Sequence, residues 1–168
     1  GSYERVARSI RDYVSGDRLM EARERFFATL VLSVMVRNGD AHLKNFGVLY
    51  AKPGSSVELA PVYDVVTTTA YIINDVPALT LAGTKKWWPR KVLERFAVTH
   101  LLLPVKKISD TFTRASEAVM ETRATIPAYI SDHPEFREIG ERIMGQWEQG
   151  VKELTEPVSK TSCLSSDP

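Results

Sequence analysis

The chain has 168 residues, of which 43% are hydrophobic and 26% charged, a balance that suits one globular domain with a substantial core. A net charge of +1 gives no general electrostatic reason to expect binding to nucleic acid or to an anionic membrane. The longest apolar stretch, residues 26–36, is too short to span a bilayer, and no signal-peptide pattern opens the chain.

The two ends of the chain differ from its middle. Gly1-Ser2 is interpreted as an expression scar, and residues 157–168 carry no core pattern and are expected to form a flexible tail. Cys163, the single cysteine, lies in that tail, where it can form neither an internal disulfide nor a site of several thiolates. This cysteine usage fits a reducing cytoplasm. We therefore expect one domain over residues 3–156.

Apolar residues at helical spacing predict two helices before residue 38. Residues 3–14 form a short amphipathic helix, with Val6 and Ile10 on its apolar face. The second helix covers about residues 18–37, and its second half is apolar on nearly every side, which is typical of a central core helix. It leads directly into the most polar motif of the chain.

Residues 46–50 and 57–63 are predicted to be two strands, separated by a turn rich in Gly, Pro and Ser. Pro61 confines the second strand to an edge or ends it early. Asn45 precedes the first strand and Asp64 follows the second. Because antiparallel pairing returns the chain to its starting point, we expect these two side chains to lie close together.

The remainder is irregular over residues 65–90 and then helical. Residues 78–81 suggest one more short strand, and Trp87 and Trp88 are expected to make core contacts, whereas Lys85 and Lys86 are expected in solvent. Three apolar stripes punctuated by prolines predict the helices that follow. The stripes are Val92, Leu93, Phe96, Ala97 and Leu101, then Val105, Ile108, Phe112, Ala115 and Val119, then Phe136, Ile139, Ile143, Trp147, Val151 and Leu154.

Residues 38–45 carry the chemistry. They set Asp40, Lys44 and Asn45 within six residues, and Asp64 follows 19 residues later. Phosphoryl-transfer enzymes use one acid to accept the proton of the attacking hydroxyl, and an Asn and a later Asp to hold Mg²⁺. On this pattern Asp40 is the base, Asn45 and Asp64 are the metal ligands, and Lys44 neutralises the transferred phosphate.

Four neighbouring residues have less specific interpretations. His42 could orient Asp40 or brace the loop, and the lack of a paired His or Cys disfavours zinc. Asn38 is interpreted as a turn or helix-ending residue. Gly39 is expected at positive φ. Tyr63 is expected to pack beneath the metal site. An isolated Asp-x-His-x-x-Asn is more often without function, but its place between a core helix and a hairpin, with Asp64 nearby, favours catalysis.

The motif Asn-Gly-Asp-Ala-His-Leu-Lys-Asn-Phe of residues 38–46, followed by Leu-Ala-Pro-Val-Tyr-Asp of residues 59–64, resembles the signatures of HipA-like serine/threonine kinases. Residues 78–83 are also similar to that family, and the resemblance covers about residues 3–154. It implies a mainly α fold with a small β-hairpin, the C-terminal lobe of a protein-kinase-like enzyme. It implies Asp40 as base, Asn45 and Asp64 as Mg²⁺ ligands, and ATP with Mg²⁺ as cofactors. His42 and Lys44 belong to the same catalytic segment.

The resemblance also implies a biological setting. Known members of the family are bacterial, cytoplasmic toxins of toxin–antitoxin modules. They phosphorylate a protein substrate and are restrained by a DNA-binding antitoxin. We therefore expect a protein substrate and such an antitoxin as partners, with no membrane contact and no direct contact with nucleic acid.

The chain departs from the family pattern before its catalytic motif. About 37 residues precede Asn38, and they contain neither a Gly-rich phosphate loop nor a lysine-bearing strand. We expect a C-terminal lobe that is inactive without the N-terminal lobe of the same polypeptide. Two alternatives stay open: a small-molecule phosphotransferase, because Gly-Asp-x-His-x-x-Asn is also similar to aminoglycoside and choline kinases, and a non-catalytic interaction domain.

Overall fold

The structure, a computed structural model, describes residues 1–156, so the tail predicted for residues 157–168 lies outside the described residues. The described residues form six α-helices and one two-stranded sheet, which is the predicted mainly α fold with a small hairpin. Among these residues, no helix combines the length and the hydropathy needed to cross a bilayer. The elements are α1 (Tyr3–Tyr13), α2 (Leu19–Met35), β1 (Val48–Leu49), β2 (Glu58–Leu59), α3 (Arg90–His100), α4 (Val105–Arg123), α5 (Ile126–Asp132) and α6 (Arg137–Thr155).

Helix α2 is the central helix of the core, as its all-round apolar second half predicted. Phe26, Phe27 and Val31 are fully buried, and the helix packs against α1, α4 and α6. Helix α1 is attached to it by the ring of Tyr3, which lies between Phe26 and the buried Trp88. Because α2 touches most other elements, its C-terminal end is a fixed point from which the polar loop departs.

The hairpin is shorter than predicted. Its ladder pairs Val48 with Leu59 and Leu49 with Glu58, so each strand has two residues. Arg25 of α2 donates a hydrogen bond from Nη1 to the carbonyl of Leu59 over 2.9 Å, which fills an outward-facing acceptor on this edge strand. The strand therefore ends against a side chain of α2, two residues before Pro61.

The strand predicted at residues 78–81 is reduced to isolated bridges. Thr80 pairs with Ser2, and Leu81 pairs with Thr84 across a tight turn. The ladder cannot continue because Ala82 has a φ of 49° and Gly83 a φ of 75°, so the chain reverses there. The bridge to Thr80 places Ser2 at the start of α1, where its Oγ accepts a hydrogen bond from the N–H of Arg5.

The C-terminal stripes become helices α3, α4 and α6, with differing burial. The residues of the first stripe pack into the core, with Val92 only partly buried. In the second stripe Val105 is 76% exposed, because it is the first residue of α4 and has no turn of helix before it to cover. In the third stripe only Leu154 is fully buried, and Trp147 and Ile143 border an open apolar groove between α2, α4 and α6.

Candidate active site

The polar loop begins with a left-handed turn at Arg37. Its φ is 58°, a conformation that costs a residue with a Cβ about 1–2 kcal/mol. The turn directs Asn38 back toward α2, where its N–H donates to the carbonyl of Ser33 over 2.8 Å. Asp40, two residues later, is exposed to solvent, whereas Asn38 and Ala41 on either side are buried. The loop thus presents one carboxylate outward from a fixed backbone.

Asn38 connects Asp40 to Asp64. Its Oδ1 accepts a hydrogen bond from the N–H of Asp40 over 3.0 Å, and its Nδ2 donates to the carbonyl of Asp64 over 3.4 Å. Asp64 is itself in the left-handed region, with a φ of 58°. The sequence suggested only that Asn38 ends the helix. In the structure its side chain also bonds to Asp40 and to Asp64. Its short-range bond to Asp40 is an Asx turn that the sequence could have indicated, but nothing in the sequence pointed to Asp64.

Asn45 and Asp64 meet, as the predicted hairpin required. The Nδ2 of Asn45 donates to Oδ2 of Asp64 over 3.2 Å. The Oδ1 of Asn45 accepts the N–H of His42 over 2.9 Å, which fixes the amide plane and leaves this oxygen a second lone pair. A carboxylate and an amide oxygen are hard ligands that suit Mg²⁺. Among residues 1–156, no three His, Cys, Asp or Glu side chains cluster as a metal site.

His42 and Lys44 act mainly through their backbones in this structure. The His42 ring makes no hydrogen bond to Asp40, and its buried Nδ1 has no partner among the described residues. The bracing expected of its ring is instead supplied by its N–H. The carbonyl of Lys44 accepts a hydrogen bond from the Tyr63 hydroxyl. Tyr63 is 53% exposed, so it does not pack beneath Asn45 and Asp64 but braces the loop from the solvent side.

Gly39 is required for space and not for positive φ, which corrects the expectation from the sequence. Only Gly54 and Gly83 among the described glycines have positive φ. A Cβ at Gly39 would lie 2.1 Å from Oδ2 of Asp75 and 2.8 Å from Oγ1 of Thr68. The left-handed residue of this loop is Arg37, so the sharp turn and the close approach fall on different residues.

The loop is also held from the side of α1. The hydroxyl of Tyr3 donates to the carbonyl of Ala41 over 3.3 Å. Burial raises the pKa of the Tyr3 phenol far above its ordinary value of 10.0, so this group remains a neutral donor wherever the protein is folded at moderate pH. The contact fixes the residue that follows Asp40.

The side chain of Arg37 ties the loop to α6. Its guanidinium is 4% exposed, its Nη2 lies 2.6 Å from Oε2 of Glu153, and its Cζ lies 5.2 Å from the ring centre of Trp87. A planar cation is suited to bind a carboxylate at its edge and an aromatic ring at its face. Sequence analysis did not single out Arg37, because it reads as the ordinary last residue of a helix.

Comparisons with known proteins find a matching family model and relatives that are named as putative kinases. The family model described as the HipA-like C-terminal domain matches residues 1–128. The protein named "Putative kinase Y4dM" from Sinorhizobium fredii is 32% identical over 123 residues, which cover 70% of this chain and 28% of that protein. A "Putative kinase" from Haemophilus influenzae is 36% identical over 70 residues, which cover 42% of this chain and 20% of that protein.

The matched regions thus cover less than a third of the length of each of these two relatives. The family model extends from α1 through α5's first residues and includes the loop of Asp40, the hairpin and Asp64. Helix α6 lies beyond it. The chain belongs to the HipA-like C-terminal domain family.

Proposed function

We propose that this chain is the C-terminal lobe of an ATP- and Mg²⁺-dependent serine/threonine protein kinase. The observation that carries the proposal is the hydrogen-bonded unit formed by Asp40, Asn38, Asp64 and Asn45. It joins an exposed carboxylate to a pair of oxygen ligands, which are the parts a phosphoryl-transfer site needs from this lobe. Membership of a family whose relatives are named as kinases supports the same reaction class.

The chemistry asks little covalent work of the protein. A carboxylate oxygen of Asp40 takes the proton of the substrate hydroxyl as the new O–P bond forms and the bond from the γ-phosphorus to ADP breaks. Asn45 and Asp64 would hold Mg²⁺, which when bound neutralises and orients the phosphates. The exposed side chain of Lys44 is placed in the same loop to counter the charge of the transferred group.

The nucleotide needs a second surface. In residues 1–156 both strands come after Asp40, so the described residues contain no lysine-bearing strand before the Asp40 loop. We therefore propose that an N-terminal lobe of the same polypeptide covers ATP, and that this chain alone has little activity. The greater length of the matched relatives is consistent with such a lobe.

Family membership is the support for the rest of the proposal. We propose a HipA-type toxin of the bacterial cytoplasm that phosphorylates a hydroxyl of a protein substrate. A DNA-binding antitoxin would be the partner that restrains it. The net charge of +1 makes direct binding of DNA by this chain itself an unfavourable alternative.

The test uses the full-length parent protein, labelled ATP, Mg²⁺ and a bacterial lysate. We expect a labelled protein band that Asp40→Asn reduces at least about 100-fold. Asp110→Asn, which changes an exposed acid on α4, should leave it unchanged. A labelled small metabolite instead of a band would replace the protein kinase by a small-molecule phosphotransferase. No transfer at all, from folded protein, would indicate a non-catalytic interaction domain.

A further inference from the structure

Thr68 is hydrogen-bonded to the catalytic loop through a single atom. Its Oγ1 accepts the N–H of Gly39 over 2.7 Å and donates to the carbonyl of Arg37 over 3.2 Å. These two groups flank Asn38, and the second belongs to the residue in the left-handed conformation. A hydroxyl can serve as donor and acceptor at once, whereas an aliphatic side chain of the same shape can serve as neither.

Thr68 is the first residue of a short 3-10 helix, Thr68–Ala70, whose N-cap is Thr67, and we call residues 67–70 the threonine turn. The other residues of this turn form hydrogen bonds with three side chains of helix α6. They join Trp147 Nε1 to Thr67 Oγ1 at 2.6 Å, Thr69 Oγ1 to Gln146 Oε1 at 3.2 Å, and Arg142 Nη1 to the carbonyl of Ala70 at 3.3 Å. The threonine turn is therefore fixed on one side by α6 and on the other by the catalytic loop.

Thr68 and Gly39 are closely packed. Thr68 Oγ1 and the Asp75 carboxylate occupy the space that a side chain at Gly39 would need. The N–H of Ala78 donates to the carbonyl of Gly39 over 2.8 Å, so both polar backbone groups of Gly39 are bonded to the segment that follows Asp64. Gly39 immediately precedes Asp40, so its orientation sets the direction in which that carboxylate leaves the loop.

We propose that Thr68 is a positioning residue for Asp40, and that α6, through the threonine turn, sets the geometry of the catalytic loop. The catalytic consequence rests on the proposed kinase function. Asn45 and Asp64 are bonded to each other, and Asn45 to His42, by hydrogen bonds in which Thr68 takes no part. Loss of the Thr68 hydroxyl thus misdirects the base without removing a metal ligand, and a small misplacement of a reacting group is enough to slow a reaction about 100-fold.

The first experiment needs no activity. Amide hydrogen exchange is measured at Gly39 in this chain, for Thr68→Val, Thr68→Ser and the wild type. We expect Thr68→Val to lower protection of the Gly39 amide about tenfold or more, and Thr68→Ser to restore it. Thr113→Val on α4, where the hydroxyl bonds only to its own helix, is the matched control and should change nothing at Gly39. Equal protection in Thr68→Val and wild type would overturn the proposal.

The second experiment measures kcat and the KM for ATP of the full-length parent. We expect Thr68→Val to lower kcat about 10- to 100-fold with KM changed less than about threefold, and Thr68→Ser to restore kcat. An unchanged kcat, or a loss that Thr68→Ser shares fully, would overturn the catalytic part. If the wild-type parent transfers no phosphate while Gly39 still depends on Thr68, the proposed function fails and the positioning contact stands.

Should Thr68→Val fail to fold, Trp147→Phe supplies a milder variant. It keeps a ring on α6 but removes the Nε1 donor to Thr67. We expect a partial loss of protection at Gly39, 108 positions away in the chain, with the helical content of the protein unchanged. Full protection at Gly39 in Trp147→Phe would remove α6 from the proposal.

Discussion

Asn38 donates a hydrogen bond from its side-chain amide to the backbone carbonyl of Asp64, 26 residues further along the chain. Both partners lie at special positions, since Asn38 follows the left-handed Arg37 and Asp64 is left-handed itself. The bond therefore joins the two points where the backbone around the candidate site turns most sharply. Each turn fixes the other, which allows an exposed site to be preorganised.

Asn38→Ala should lower the free energy of unfolding by about 1–3 kcal/mol, because it leaves the N–H of Asp40 and the carbonyl of Asp64 without their partner. Urea denaturation of the 168-residue chain measures the change. Asn74→Ala, at an exposed position, should stay within about 0.5 kcal/mol of wild type. Equal stability of the two variants would show that the Asn38 bonds contribute nothing.

Binding of Mn²⁺ should test directly whether Asn45 and Asp64 hold a metal ion. When Mn²⁺ is added to the labelled chain, we expect paramagnetic broadening of amide resonances to be strongest around Asn45 and Asp64. Asp64→Asn removes the charged ligand and should abolish this localised broadening, whereas Asp132→Asn at the end of α5 should preserve it. Broadening that is centred elsewhere, or that survives Asp64→Asn, would contradict the assignment of these ligands.

The same substitution at two glycines of α6 should have opposite effects. A Cβ at Gly150 would lie 2.0 Å from the backbone oxygen of Met35, so Gly150→Ala must separate α6 from α2 and should destabilise by about 1–3 kcal/mol. A Cβ at Gly145 would meet nothing within 4 Å beyond the adjacent backbone of its own helix, and Gly145→Ala should stabilise the protein by about 0.5–1 kcal/mol through helix propensity. Thermal unfolding of both variants gives the comparison, and shifts of the same sign would refute it.

Glu4 should contribute to stability only above acidic pH. Burial acts to raise the pKa of this carboxyl, but hydrogen bonds from the N–H of Ala82 and from its own N–H and Ser2 outweigh burial, so the pKa falls below 4.5. A group with a lowered folded pKa stabilises the fold above its unfolded pKa, and this contribution disappears as the pH falls through the folded pKa.

Glu4→Gln should accordingly be less stable than wild type near pH 7, and the difference should shrink as the pH is lowered through 4.5 and below. Urea midpoints at several pH values measure it. Glu121 on α4 forms no ion pair among the described residues, so the urea midpoint of Glu121→Gln should change with pH in the same way as that of wild type. A gap between Glu4→Gln and wild type that is constant with pH would mean that ionisation of Glu4 is not involved.

The sequence predicted the parts of this molecule that have a period or a pairing rule. Helical spacing located α1, α2, α3, α4 and α6 but not α5, and antiparallel pairing brought Asn45 to Asp64. The strand lengths were not predictable, because β2 ends on a hydrogen bond from Arg25, which is distant in sequence. Thr68 was missed because residues 65–90 carry no period, so their contacts depend on the completed tertiary structure.

The positive φ was predicted at Gly39 but occurs at Arg37, and this error also has a physical cause. Glycine is the usual choice for a left-handed residue, so Gly39 was the natural expectation beside Arg37. The structure instead uses Gly39 where the chain is crowded by Asp75 and Thr68. A single glycine often provides both a left-handed φ and space for a close contact. Here Arg37 has the left-handed φ and Gly39 makes the close contact, and no rule based on residue type alone predicts this division.

Arg37 is a residue whose backbone and side chain have conflicting requirements. Glycine or asparagine would suit its φ of 58° better, but only a long planar cation reaches Glu153 while lying over Trp87. Attempts to rigidify the protein by replacing Arg37 with a residue better suited to this turn would therefore loosen α6 from the loop that it supports. Backbone geometry alone would suggest replacing Arg37 to stabilise the protein, but the contacts of its side chain make this position a poor target for stabilising mutagenesis.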